Sequence, residues 1–434
     1  MPSMILLNHM AKNNYQTPTG MHDLFQKDLE QIAKIEQSAK KMADFYGFEK
    51  IETPILEFSE IFEKGTGAAT DIVEKEMYSL KTKGGDLLTL RPEMTPGVVR
   101  AYNQSGMQNL PKPVRLWYMG PCFRHERPQA GRYRQFNQLG FESFGTSHPI
   151  IDTITILIFY NLLKSLGFKK LAVEVSCIGD SQCRGAFKKA LTNYFRSRTS
   201  SLCADCRNRL KKNPLRILDC KEEKCCVVKK GAPQVLDYLC KDCSNHFKSL
   251  LEFLEELEIP YSINPHLVRG LDYYTRTVFE IIEDTEDGRA QGSLTGGGRY
   301  DGLVKLLGGK DTPACGGSMG VERVINLIKA RNKQAEKEEQ TCEVYLAQVG
   351  ELPKRKALKL FEQLRQANIK AGEGLHKDSL SAQLGAADTM KAKYSLIIGQ
   401  KEALDNQVII REMKNGRQKV VDIDKVIKEL KSKI

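Results

Sequence analysis

Apolar positions along the chain follow two rhythms. Leu29, Ile32, Ile35, Ala39, Met42 and Phe45 recur every three to four residues and predict an amphipathic helix that Gly47 ends. A strand from Lys50 to Pro54 follows, and residues 72–102 read as short strands around Gly84-Gly85. Residues 114–124 and 134–144 read as two longer antiparallel strands joined by the polar loop 125–133. An apolar helix is expected at 150–166, β-rich sequence at 261–282, Gly-rich turns at 296–298 and 316–320, and a helix at 321–331. The cysteine-rich block 177–248 interrupts this pattern and reads as an insertion between core segments 1–176 and 249–331. A charged linker is expected at 332–340. Beyond it, strand 343–349, helix 354–368, strands 394–399 and 407–412 and helix 424–433 make a small α/β domain over 341–434.

Composition narrows the class. With 434 residues, 41% of them hydrophobic, the chain exceeds one ordinary domain and can build real cores. No uncharged apolar run reaches the roughly 18 residues of a membrane span, since 150–163 is interrupted by Asp152 and Asn161. The short apolar stretch from Met4 to Leu7 has no basic flank, unlike a signal or transit peptide, so a cytoplasmic location is expected. The net charge of +12 is uneven: 177–248 carries +9 and 340–434 carries +6, which leaves −3 for the rest. Two basic modules beside a near-neutral body suit a polyanion such as nucleic acid, although a basic solvated surface has the same composition. Nine of the twelve cysteines lie within 177–248. The C-x2-C pairs Cys203/Cys206 and Cys240/Cys243, 33 residues apart, have the spacing of a zinc site, with plain reduced thiols as the alternative.

In the strand 134–144, alternation puts Phe136, Gln138, Gly140, Glu142 and Phe144 on one face. Such a strip is commonly the wet face of an antiparallel sheet. The arginines of the adjoining loop, Arg124, Arg127, Arg132 and Arg134, change that reading, because guanidinium forks match phosphate oxygens. Three further segments supply parts of the same kind. Leu90 to Thr95 holds Glu93 and Thr95, Leu267 to Tyr274 holds Arg269 with Tyr273 and Tyr274, and Gly316 to Gly320 precedes a helix carrying Arg323.

Together these segments resemble the class II aminoacyl-tRNA synthetases, and among them the histidyl-tRNA synthetase family. Glu52-Thr53-Pro54 after a long helix is similar to the first class II motif, Phe123-Arg124-His125-Glu126 with the loop to Phe136 to the second, and Gly317 to Arg323 to the third. Leu267 to Tyr274 and Gly296-Gly297-Gly298-Arg299-Tyr300-Asp301-Gly302 match the two histidine-specific signatures. The resemblance implies an α+β catalytic domain built on an antiparallel sheet, an inserted helical domain and a C-terminal α/β anticodon-binding domain, assembled as a homodimer. It implies ATP-dependent activation of histidine, with Mg²⁺, and transfer to tRNA(His).

Residue by residue, the resemblance places Arg124 on the ATP α-phosphate and Arg323 on the γ-phosphate. Phe136 stacks on adenine, Glu126 lies near its amine, and Arg132 joins the ATP site. Arg269 acts with Arg124 as a catalytic cation at the α-phosphate. Glu93, Thr95 and Gln138 surround the histidine α-amine, while Glu142 and Tyr274, with Tyr273 beside them, face the imidazole. A neutral imidazole carries one donor and one acceptor on opposite sides, so a carboxylate and a phenol bracketing it reject isosteres. The family's insertion has the same framework around Asn213-Pro214-Leu215-Arg216 with other residues often replacing the thiols, so zinc on Cys203, Cys206, Cys240 and Cys243 is a candidate that the fold does not require. The main alternative is a non-catalytic paralogue, such as the histidine-sensing regulatory subunit of ATP phosphoribosyltransferase. That protein lacks the tail domain and erodes the site, and neither loss is visible in this sequence.

Overall fold

The structure is a computed structural model that describes residues 15–68, 70–127, 131–284, 292–332 and 342–434. The first long helix, Gln26–Tyr46, ends as expected: Gly47 takes a φ of 72° and its N–H bonds to the Ala43 carbonyl. Its buried stripe is Ile35, Ala39 and Ala43. Leu29 and Phe45, expected on that stripe, are 51% and 81% exposed. At ~100° per residue they project about 80° and about 120° to opposite sides of its centre at Ala39.

Eleven described strands build the larger unit, which ends at Asn332. They are β1 (Glu49–Lys50), β2 (Leu56–Phe58), β3 (Tyr78–Lys81), β4 (Leu87–Leu90), β5 (Val114–Phe123) and β6 (Gln135–Phe144), then β7 (Leu171–Cys177), β8 (Tyr261–Ile263), β9 (Thr275–Glu283), β10 (Thr295–Arg299) and β11 (Ala314–Gly320). Eight of them form one sheet in the order β1-β5-β6-β11-β10-β9-β7-β8, and β2-β4-β3 form a small second sheet. The six central strands are antiparallel, as expected, while β1 and β8 join the edges in parallel.

Two expectations fail here. The glycine-rich segments 296–298 and 316–320 are not turns but the adjacent central strands β10 and β11. Residues 95–102, the end of the stretch read as short strands, lie in the helix Thr95–Gln104, with Pro96 in its first turn where no N–H is needed. Its first turn and a half, Thr95 to Val99, is buried all round, and a polar stripe of Arg100, Asn103 and Gln104 marks only its second half.

Alternation along the strands separates the two faces of the large sheet. Trp117, Leu139, Phe141, Val173, Phe279 and Met319 join the core under helices Gln26–Tyr46, Pro149–Ser165 and Val321–Asn332. Leu116, Tyr118, Phe144, Val278 and Tyr274 point the other way, towards Thr95–Gln104. The inserted segment has its own core of Phe187, Leu191, Phe195, Leu202, Ile217 and Val235. Helix Lys241–Glu256 runs unbroken through residue 248, and its Phe247, Leu250 and Leu254 pack into the main core. The insertion's own packing therefore ends before this helix.

The second unit, described from Cys342, has the five-stranded order β13-β12-β14-β15-β16, where β12 is Val344–Gln348, β13 Ala371–Glu373, β14 Tyr394–Ile398, β15 Gln407–Glu412 and β16 Gln418–Asp422. Helix Glu351–Gln366 seals it through Ala357, Leu360 and Leu364. The sequence reading misses β13, three residues long, β16, largely exposed at the edge, and helix Leu380–Thr389, which has no apolar stripe. Residues 333–340 of the expected linker lie outside the described residues. No described helix is long and apolar enough to cross a membrane.

Candidate active site

Register builds the site on the sheet face that carries Glu142. Tyr118 lies opposite Gly140, Glu142 opposite Gly316, Gly316 opposite Gly298, and Gly296 between Ser318 and Glu280. A Cβ at Gly140 would strike the Tyr118 ring, one at Gly316 would overlap the Glu142 carboxylate, and one at Gly296 would lie 2.5 Å from the Arg269 guanidinium carbon. Glycine in these strands is thus a floor on which three large polar side chains lie flat.

Two buried carboxylates stand over that floor. Glu142, 1% exposed, accepts from Thr95 Oγ1 at 2.8 Å, Tyr118 Oη at 3.0 Å and Tyr300 Oη at 2.5 Å. Burial pushes its carboxyl up to about 7, against the three hydroxyl bonds that favour the ionised form. Glu93, equally buried, accepts from Thr66 at 2.5 Å and Tyr273 at 2.8 Å, and burial raises it too. Gln138 lies beside them, its Oε1 accepting the Met94 N–H at 3.2 Å. The Thr95 hydroxyl, expected with Glu93 and Gln138 at the histidine α-amine, donates to Glu142. Of the paired tyrosines, Tyr273 is the one bonded to Glu93. Tyr274 is buried against its ring at a 4.7 Å centroid distance.

The cations line the same trough. Arg269 pairs with Glu280 on β9, and its Nε is buried without a partner among the described residues. Arg124 donates to the Pro92 carbonyl at 2.8 Å and sits over the Phe136 ring, its guanidinium carbon 5.4 Å from the centroid. Glu126 lies between Arg124 at 3.8 Å and Arg132 at 3.5 Å. Arg323 bonds the Ser293 carbonyl at 2.8 Å, and burial together with the neighbouring charge of Arg132 lowers its proton affinity. Like charges gathered in a half-buried site suit an anion. Arg134 is spent on the Glu126 carbonyl and Arg127 is exposed, while residues 128–130 lie outside the described residues.

Sequence reasoning misses Tyr118, Tyr300 and Thr66, the hydroxyls that hold the two carboxylates. Tyr300 stands in a recognised signature. Tyr118 is marked only by its register against Gly140. Arg299, next to Tyr300 in the signature, goes the other way: alternation along β10 puts it on the helix side of the sheet, paired in register with Cys315. There it is fully buried against Asp152 Oδ1 at 2.5 Å, and His246 holds the other Asp152 oxygen at 2.7 Å. Burial works against ionisation of Asp152, yet Arg299 and His246 hold it down at about 2.

The expected four-cysteine set is corrected by the structure. Cys203 and Cys206 gather with Cys220 and Cys225, whereas Cys240 and Cys243 gather with Asp180 and Cys183. The two C-x2-C pairs open two different helices, Ala204–Lys212 in the insertion and Lys241–Glu256 in the main core, so they cannot share one ion.

Comparison with known proteins agrees with this architecture. The family model for histidyl-tRNA synthetase matches residues 20–324, and that for an anticodon binding domain matches 343–433. A Histidine--tRNA ligase of Desulfitobacterium hafniense is 43% identical over 403 residues, covering 93% of this chain and 94% of the relative. That of Acetivibrio thermocellus is 41% identical over 416 residues, covering 96% and 99%. Among solved structures, the apo histidyl-tRNA synthetase of S. aureus superimposes with a TM-score of 0.77 at 31% identity, covering 96% of this chain and all of that one.

Proposed function

We propose, from the premise that this chain belongs to the histidyl-tRNA synthetase family, that the glycine-floored trough binds L-histidine and ATP side by side and joins them. The chain is a histidine–tRNA ligase: it activates histidine to histidyl-adenylate with release of diphosphate, then passes the histidyl group to the 3′ end of tRNA(His) with release of AMP. The observation that carries the assignment of the site is the pair of buried, hydroxyl-held carboxylates beside a row of arginines on one sheet face.

In this reading Glu93 and Gln138 take the α-ammonium of histidine, and Glu142, held by Thr95, Tyr118 and Tyr300, takes an imidazole N–H with Tyr274 across the ring. The histidine carboxylate attacks the α-phosphorus, a new O–P bond forms, and the bond to the diphosphate breaks. No proton need move at that step, so the protein's task is to position the reactants and meet the charge growing on phosphoryl oxygens. Arg269 and Arg124 do so at the α-phosphate and Arg323 at the γ-phosphate. Phe136 stacks on adenine with Glu126 and Arg132 at its rim. Glu126 and Glu280, carboxylates beside these cations, are paired with arginines, so the Mg²⁺ that accompanies ATP would be held chiefly by phosphate oxygens and water, as that ion prefers.

Transfer requires tRNA, and the positive charge of the tail domain and of 177–248 suits its phosphates. A homodimer fits the exposed apolar Ile55, Leu56, Phe58, Leu80 and Leu87 on and beside the small β2-β4-β3 sheet. The regulatory-paralogue reading is disfavoured by the presence of Arg124, Arg269, Arg323 and a tail domain in one chain.

Histidine-dependent ATP–diphosphate exchange and tRNA(His) charging test the reading, with Arg269→Lys as the diagnostic variant. A compact ammonium cannot reproduce the fork, so single-turnover adenylate formation should fall by about 10² or more while histidine binding changes little. A variant within a few-fold of wild type removes Arg269 from the chemistry.

A further inference from the structure

We infer that Cys203, Cys206, Cys220 and Cys225 bind one structural zinc ion inside the inserted domain. Their four sulfurs lie within 4.8 Å of one another, and those of Cys203 and Cys220 are 3.9 Å apart. A tetrahedral zinc with Zn–S bonds of about 2.3 Å sets its sulfurs about 3.8 Å apart, whereas a disulfide needs about 2.05 Å. Three of the four residues are buried and Cys203 is half-buried, the closed setting of a structural rather than a catalytic ion.

The surroundings are those of a thiolate site. The Cys203 N–H points at Cys225 Sγ at 3.2 Å and the Cys206 N–H at Cys203 Sγ at 3.3 Å, donors that stabilise charge on sulfur. Cys203 also caps helix Ala204–Lys212, which puts its sulfur at the positive end of that helix. Arg209, on the same helix, is close enough to feel the charge of Cys206 and Cys220, and offsets part of the negative charge of four thiolates around one divalent ion. A set of four sulfurs with no oxygen ligand selects zinc over magnesium or calcium.

Asp180, Cys183, Cys240 and Cys243 form a second cluster of the same dimensions. Its carboxylate already accepts the N–H groups of Gln182 at 3.0 Å and Cys183 at 3.4 Å and faces Arg276 at 3.6 Å, so the inference is confined to the four-thiol set.

The zinc would also brace the histidine pocket, a consequence that rests on the reading of that pocket given above. From helix Ala204–Lys212 and the turn after it, Arg209 and Arg216 hold Asp71 at 2.8 and 3.0 Å, Lys212 holds Glu74 at 2.6 Å, and Asn213 holds Asp272 at 3.0 Å. The Asp272 N–H bonds the carbonyl of Thr66, whose hydroxyl holds Glu93. Four thiols tied to one ion fix the helix from which these contacts reach.

Elemental analysis of the full chain, purified without chelator from zinc-supplemented culture, tests the inference. Cys206→Ser and Cys220→Ser should each lose one equivalent of zinc that the wild type and Cys243→Ser retain. Cobalt substitution of the wild type should give the intense thiolate charge-transfer and d–d bands of a tetrahedral sulfur site, which decides the question even where a variant fails to fold. A wild type without zinc, iron in its place, a six-coordinate cobalt spectrum, or loss of metal confined to Cys243→Ser overturns the assignment. Chelation should raise the KM for histidine several-fold; an unchanged KM overturns the bracing role, and because metal content is read separately, failure of the catalytic reading is distinguishable from failure of the zinc site.

Discussion

Glu142 concentrates the chemistry of one residue. Three hydroxyls point at its two oxygens in a site where burial lifts the carboxyl to about 7, so around neutrality it is poised between donor and acceptor. Because the folded pKa lies above the usual carboxylate value, the native state keeps a proton that the unfolded chain has released. Ligand-free stability should therefore fall as pH rises from about 4.5 to about 7 and level off above, by on the order of 3 kcal/mol at most. Glu142→Gln should flatten that segment of the urea-midpoint profile. It should also weaken histidine by about 1.5 to 3 kcal/mol with little effect on ATP, since the amide supplies no charge and places an NH₂ among hydroxyl donors. Separate titrations of the two ligands decide this: weakened ATP with intact histidine affinity would place Glu142 elsewhere.

At the scale of elements, the site is a property of strand register. β6, β11 and β10 bring Glu142, Gly316 and Gly298 into one line across the sheet, and a one-residue slip would turn each to the helix face. Gly316→Ala should force the Glu142 carboxylate aside and weaken histidine by about 10- to 100-fold, or about 1.4 to 2.8 kcal/mol. Gly302→Ala, where a Cβ meets nothing within 4 Å and φ is −87°, serves as the control and should bind as wild type. Equal affinities in calorimetric titration would mean that the glycine floor is incidental. Strand alternation works at the same scale, sending Tyr300 to Glu142 and Arg299 to Asp152 from adjacent positions.

The whole molecule divides its labour between two units, each with its own sheet and core. Every residue assigned to histidine or ATP lies before Asn332, while 340–434 carries +6. A chain ending at Asn332 should keep histidine-dependent ATP–diphosphate exchange but lose most tRNA charging. The slope of log affinity for tRNA against log salt should shrink by about 0.7 to 0.9 for each phosphate contact removed. Loss of both reactions in equal measure from a folded truncation would contradict the division.

By itself the sequence determined what depends on local period and on residue chemistry. The helix before Gly47, the β5–β6 hairpin, the face shared by Gln138 and Glu142, the basic character of two modules and the arginines of the recognised signatures are all legible there. These features follow from spacings of two or 3.6 residues and from charge, which neighbours in the chain suffice to define. Tertiary structure decided what depends on partners far along the chain. Gly296 to Gly298 and Gly316 to Gly320 carry turn composition, yet they are central strands because side chains from β6, β9 and the segment before β9 fill the space their missing Cβ atoms leave. The two C-x2-C pairs match a single zinc spacing, yet packing sends one to the insertion and the other to the main core, each towards different companions. Tyr118, Tyr300 and Thr66 became site residues only when Thr66 and Glu142, 76 positions apart, and Glu142 and Tyr300, 158 positions apart, were folded back onto one face.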